Sequence, residues 1–410
     1  MRVQTKPEEE LNQGCEKTKM SVDWSELPPE IIQTISQKLT IYADYIRFRS
    51  ISHTFLSSIP KTPHHLPPQL PCLLLSHQSF FNISTHKTHL FNLPLPSHRT
   101  RICASSHGWL IILNETPQIR LFNPLTCVTL FLPPIHTFPN VVSFDYSNIG
   151  REYSVTNDSY LRFFSLRQMC DDFIAKIVLS TSPSLSDEFV ALAIVDGYSC
   201  NNLAFCKKGY DSWIFLTKKN DYYFWEDVVY YNGLFYAVSK GGTIAVCDVN
   251  SHRVSIFQMT VPVQFSGDIH YVVFSGEDML LVNRVLEEDF SDEPNYDMLV
   301  YRTVGFTVFK MDWNAMAWNR IEALGDKALF VGVNSSMCFS AGDFVGCCGD
   351  CIYFTDDYSE DNHDDACGKH DFGIFRLYDG IIDPLLPSYS RNSYSRLECP
   401  LPIWISPNPC

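Results

Sequence analysis

Cys348 and Cys351 are followed, after fifteen intervening residues, by Cys367 and then His370. The pattern C-x2-C-x15-C-x2-H nearly reproduces a zinc ribbon, in which thiolates and an imidazole close a tetrahedron around the metal. The connecting stretch argues the other way. It carries Asp356, Asp357, Glu360, Asp361, Asp364 and Asp365, and a turn so rich in carboxylates stays solvated. It also lacks the spacing and central glycine of an EF-hand. The expectation is no metal, with Cys348, Cys351, Cys367 and His370 as the candidates if one binds. A second acidic turn, Glu287 to Pro294 with Phe290 as its aromatic, reads as a solvated loop or as a contact for a basic target.

No G-x-S-x-G elbow, phosphate-cradling glycine loop or H-E-x-x-H helix occurs. Adjacent carboxylates such as Asp356 and Asp357 become catalytic only when they converge in a pocket. No catalytic residue and no cofactor are therefore expected. Trp109, Trp213, Trp225, Trp313 and Trp318 read as packed core in place of a sugar platform.

These residues must be positioned by a chain of 410 residues that is 45% hydrophobic, with 29 Phe, 20 Tyr and 7 Trp. Flat rings pack well on pleated strands, so the composition points to a β-rich protein of one large domain and a small one. Net charge is −15, split unevenly: residues 1–135 carry 12 Lys/Arg against 9 Asp/Glu, and the remainder 19 against 37. The acidic part would repel phosphate backbones, which argues against nucleic-acid binding. Most of the 15 cysteines, among them Cys103, Cys127, Cys206 and Cys247, sit in apolar contexts as small buried hydrophobes. A polar start without a signal-peptide pattern, and no apolar run of membrane-spanning length, imply an intracellular protein with reduced thiols, cytoplasmic or nuclear, with no membrane partner.

Residues 1–21 read as a flexible leader. From Leu27-Pro28-Pro29-Glu30 onward, two prolines and an acid suit a first helical turn. Ile31, Ile32, Ile35 and Leu39 then form one apolar stripe. Further short helices fit Tyr42–Phe48 and the stretch of Ile51, Phe55 and Leu56 before Pro60. The order Leu27-Pro28-x-Glu30-Ile31-Ile32-x-x-Ile35-x-x-x-Leu39, then Arg47-Phe48-Arg49-Ser50-Ile51-Ser52, resembles the F-box motif over residues 22–58. The resemblance implies docking on a Skp-type adaptor, and through it a cullin, with Leu27, Pro28, Ile31, Ile32, Ile35, Leu39 and Phe55 contacting the adaptor or building the core that presents the contact. Phe55 stands where F-boxes usually carry Trp, and Ser52 where they carry a Cys or similar small residue. Residues 59–98, rich in proline with His64, His65, His77, His86 and His89 as surface residues, read as an extended connection holding a strand or two, such as Cys72–Leu75.

The long domain repeats itself. Gly233 leads Leu234–Val238, Thr243–Asp248 and Val254–Phe257 in a three-strand meander, and Gly108 leads a copy with the same interval: Gly108 to Asn123, Gly233 to Asp248. Later copies led by Gly276 and Gly349 close at Asp312 and Asp379 through longer turns, and looser matches fall at Phe189–Ile194 with Leu203–Cys206 and at Ala328–Val331. Such recurrence is the signature of a β-propeller, of six or seven blades, over residues 99–390, with 391–410 as a tail or closing strand. Leu324–Gly332, Cys351–Asp357, Phe122–Thr126 and Val228–Tyr236 resemble plant F-box proteins carrying the domain of unknown function 295, an F-box/kelch-like, propeller-type family. The fold expected is mostly β, a three-helix F-box module followed by that propeller. The function implied is that of a non-catalytic substrate receptor of a Skp-cullin-F-box ubiquitin ligase, holding an unidentified protein target. A non-ligase interaction protein with a decayed F-box and a propeller enzyme are the rival readings.

Overall fold

The computed structural model describes residues 27–408 apart from 62, 64, 67, 68, 77, 91, 92, 94–99, 158, 159, 187, 196–200, 217–222, 263, 264, 291–298, 358–369 and 387–401. Helices α1 (Pro29–Ser36), α2 (Tyr42–Arg49) and α3 (His53–Ser58) come first. Prolines open α1, and the Ser52 hydroxyl caps α3 by accepting from the Phe55 amide.

Six sheets follow, arranged as a ring of blades. Blade 1 holds Cys72–Ser76, Ser79–Asn82 and Lys87–Leu90, and its inner strand is Ile403–Ile405 from the far end of the chain, paired antiparallel to Cys72–Leu74. Blades 2 (from Thr100), 3 (from Ile174), 4 (from Trp225) and 5 (from Ile269) are four-stranded antiparallel meanders. Blade 6 has five strands between Lys327 and Asp383. Apolar side chains fill the space between neighbouring sheets. Phe330, Tyr353 and Trp404 join blade 6 to blade 1, so the ring closes on itself. A three-stranded sheet (Val141–Phe144, Tyr153–Asn157, Tyr160–Phe164) and helix α4 (Leu166–Asp171) are inserted between blades 2 and 3. Among the described residues this makes six blades plus an insertion.

The repeated glycines and closing residues have a common geometry. His107-Gly108 and Asn232-Gly233 both turn with positive φ at each residue (51° and 80°, 47° and 88°), the twist that suits a two-residue hairpin. At the next hairpin the closing side chain caps the turn. Asn123 accepts from the amides of Leu125 and Thr126, Asp248 from Asn250 and Ser251, and Asp312 from Asn314 and Ala315. Four positions after each stands a residue in the left-handed region: Cys127, His252 and Met316. Asn82 and His86 repeat the device in blade 1.

Several expectations change. The stretch read as a proline-rich connection contains blade 1, because Leu73, Leu75 and Phe81 become core only once a strand from the other end of the chain covers them. The loose match at Ala328–Val331 and the copy led by Gly349 belong to one blade, in which Lys327–Val331 runs parallel to Cys351–Phe354. The acidic turn after Val282 is largely strand: Asp278–Phe290 and Leu299–Asp312 stay paired out to Phe290 and Leu299, and residues 291–294 lie outside the described residues. Cys127 is exposed because it occupies the left-handed turn position, whereas Cys103, Cys206 and Cys247 are buried. Trp313 is 41% exposed, edge-on to Phe257, and the other four tryptophans named are buried.

Candidate docking surface and the propeller axis

The apolar stripe of α1 divides when the three helices pack. Ile32, Tyr45, Phe55 and Ile59 form the core of the module, with Phe48 edge-on to Phe55 at 5.0 Å. The Tyr45 hydroxyl donates to the Pro60 carbonyl (2.8 Å), Arg49 Nε to that of Ile59 (3.1 Å), and Gln33 to that of Ser58 (3.0 Å), which fixes the last turn against the first two helices. Of the seven residues singled out from the sequence, Ile32 and Phe55 therefore point inward. Leu27, Ile35 and Leu39 are half-buried, and Pro28 and Ile31 are exposed. Ile31 (46% exposed), Ile51 (58%) and Leu56 (42%) remain as large apolar side chains that the module itself does not bury. The module rests on the segment leading to blade 1 through Gln69 to the Thr40 carbonyl (2.9 Å) and the His65 ring to that of Ser36 (3.1 Å).

At the propeller axis the inner strands converge on a buried ion pair that sequence reading missed. Lys176 Nζ of blade 3 lies 2.5 Å from Asp227 Oδ1 of blade 4 and donates to the Gly332 carbonyl of blade 6 (3.1 Å). The other oxygen of Asp227 accepts from the Val272 amide of blade 5 (2.9 Å) and the Ser336 hydroxyl (3.1 Å). One carboxylate and one ammonium thus tie four blades. Burial pushes the Asp227 carboxyl up, and Lys176 with the backbone amides of Val272 and Val228 pulls it down. The signal was a single charge inside an apolar strand, Ile174-Ala175-Lys176-Ile177-Val178.

A second buried cation joins blades 5 and 6. Arg284, with a fully buried side chain, donates to Asp357 (2.7 Å), Asp371 (2.9 Å), the Tyr271 hydroxyl (3.1 Å) and the Thr355 carbonyl (2.8 Å). Burial raises the Asp357 carboxyl to about 6, although Arg284 pulls it the other way. Asp357 and Asp371 are described residues on either side of the acidic stretch, so both ends of it are held on one guanidinium.

The four metal candidates are not brought together among the described residues. Cys348 is exposed, and its amide donates to the Tyr353 hydroxyl (2.9 Å). Cys351 is buried at the start of a strand, its thiol pushed up to about 12 by burial. The His370 ring meets Asp356 (3.0 Å), which also accepts from Tyr301 (2.5 Å). Cys367 lies outside the described residues, and no cluster of three metal-ligating side chains occurs among those described.

Above the axis pair, between helical module and propeller, lies a cavity of about 610 Å³. Tyr42, Pro63, Leu66 and Gln69 wall it on one side, and the ends of the inner strands on the other.

The class defined by this geometry is a β-propeller of six blades, closed end to end, with an apolar-faced helical module mounted before it. The KIB1-4 beta-propeller family model matches residues 80–376, and the chain belongs to that family. Its relatives include F-box protein SKIP23 of Arabidopsis thaliana, 28% identical over 94% of this chain and 96% of its own. Two further F-box proteins of the same plant are each 26% identical, over 92% and 82% of this chain and 98% and 96% of theirs. A solved structure titled as a putative TolB from Agrobacterium tumefaciens aligns over 83% of this chain and 99% of its own with 9% identity and a TM-score of 0.37, too slight a likeness to argue from. No described helix is long and apolar enough to cross a membrane.

Proposed function

We propose that the chain is a non-catalytic substrate receptor of a Skp-cullin-F-box ubiquitin ligase. The helical module docks the Skp-type adaptor, and the propeller, of the type carrying the domain of unknown function 295, holds a protein target. The observation that carries this reading is the split of the α1 stripe: Ile32 and Phe55 build a core, while Pro28, Ile31, Ile51 and Leu56 stay on the surface beside it. A surface of this kind gains most by being covered by a partner. Phe55 fits the same account, since its ring serves packing and a smaller aromatic there changes the core and not the contact. The receptor works by proximity, fixing the target relative to a conjugating enzyme carried elsewhere in the complex.

The test is capture of a purified Skp-type adaptor by the full chain. Ile31→Asp is expected to weaken capture at least tenfold, because a carboxylate must be desolvated in the contact, with the melting temperature unchanged. Ile32→Asp is expected to unfold the module. Intact wild-type protein that fails to capture the adaptor overturns the reading in favour of a decayed docking module.

A further inference from the structure

The cavity between module and propeller is unusual for its chemistry. Nineteen of the described residues line it, and among these none is Asp, Glu, Lys or Arg, in a chain of which 19% is charged. A carboxylate behind the wall is already spent: Ser336, which lines the cavity, donates to Asp227, and Asp227 is paired with Lys176. The lining imidazole, His107, is turned to the Leu179 carbonyl (3.2 Å), and burial lowers its pKa, which favours the uncharged ring.

Hydroxyls alternate with apolar surface along the wall. Ser105 and Ser335 are joined through their backbones, the Ser335 amide donating to the Ser105 carbonyl (2.7 Å), while neither side-chain hydroxyl has a hydrogen-bond partner among the described residues. Among the described residues the Ser406 hydroxyl has only the Met337 thioether (3.0 Å), a weak acceptor. Leu66, Leu185 and Phe339 supply apolar area. A half-enclosed wall with unused hydroxyls and no countercharge among its described residues penalises an ion, which would lose its hydration without compensation. It favours an uncharged molecule that can bond to the hydroxyls and cover the apolar residues, and the volume is that of a drug-sized ligand site.

We infer that this cavity is a binding site for an uncharged small organic molecule carrying hydroxyl or carbonyl groups on an apolar frame. The inference is independent of adaptor docking, because the surface side chains of Ile31, Ile51 and Leu56 are not part of the wall.

The test uses three probes of matched shape: 4-(trifluoromethyl)benzyl alcohol, 4-(trifluoromethyl)benzoate and 4-(trifluoromethyl)benzylammonium. Fluorine line widths are recorded at millimolar probe with the full chain. Broadening is expected for the alcohol and not for either ion. Leu185→Trp, at a lining position that is 56% exposed, should abolish the broadening at an unchanged melting temperature. Ser335→Ala, which removes a hydroxyl without filling space, should weaken the alcohol about fivefold, the loss of one neutral hydrogen bond. An alcohol that fails to broaden, equal broadening by all three probes, or broadening that survives Leu185→Trp would each overturn the inference.

Discussion

At the residue scale, two glycines that look alike in sequence carry different loads. Both Gly108 and Gly233 have positive φ, but a Cβ at Gly233 would meet nothing within 4 Å, whereas one at Gly108 would lie 2.4 Å from Asn408 Cβ and 2.8 Å from the Ser406 carbonyl oxygen. Gly233→Ala should cost about 1 kcal/mol for its left-handed backbone. Gly108→Ala adds a clash with the closing segment and should cost about 3 kcal/mol in all. Chemical denaturation of the two variants reads the difference. Asp357 gives a pH dependence with a definite sign, because its burial outweighs the pull of Arg284. The Asp357 carboxyl keeps its proton in the folded state up to about pH 6, against an ordinary value of 3.8. Between those values the folded state holds the extra proton, so this group's contribution to stability is fully present below the lower value and is lost as pH rises through the upper one. In Asp357→Asn that component of the stability-versus-pH slope should vanish, a change visible in melting curves taken from pH 4 to pH 7.

At the element scale, the capped hairpins set how firmly each outer pair of strands is held. Asp248→Ala removes the acceptor for the Asn250 and Ser251 amides and for the Ser251 hydroxyl. It should cost about 1–2 kcal/mol and speed amide exchange in Ile244–Phe257 with the other blades unaffected. These hairpins were also what made the propeller legible. Glycine pairs, Asx turns and the alternation around them are local, so blades 2 and 4 could be read with nearly correct strands. The α1–α3 module was legible for the same reason, through its opening prolines and its stripe. What escaped depended on partners remote in the chain. Blade 1 was hidden because its inner strand comes from Ile403–Ile405, and blade 6 because a strand is inserted and the pairing turns parallel. Lys176, Asp227 and Arg284 gave only the hint of a charge in an apolar run. Their partners sit in other blades, and local pattern does not reveal them. The division of Ile31 from Ile32 likewise needed the packing of α2 and α3.

At the scale of the whole molecule, the ring is held by two devices of different kind, the axis pair and the terminal strand. Lys176→Met leaves Asp227 buried without its cation and should cost about 3–5 kcal/mol, while the double change Lys176→Met with Asp227→Leu should recover much of that loss. Stop codons before Ile403 should open the ring, giving a protein that is cleaved rapidly by protease within Cys72–Leu90 but still melts cooperatively elsewhere. Strand Cys72–Ser76 has a further consequence in time. Its partner Ile403–Ile405 leaves the ribosome last among the described strands. At about 5–20 residues per second, roughly tens of seconds separate the two. Throughout that interval blade 1 offers a bare strand edge and its unburied leucines to whatever meets the nascent chain. The three helices are already synthesised by then, so the helical module can be finished while the ring behind it still gapes. A newly made copy would therefore depend on chaperone cover at this one seam.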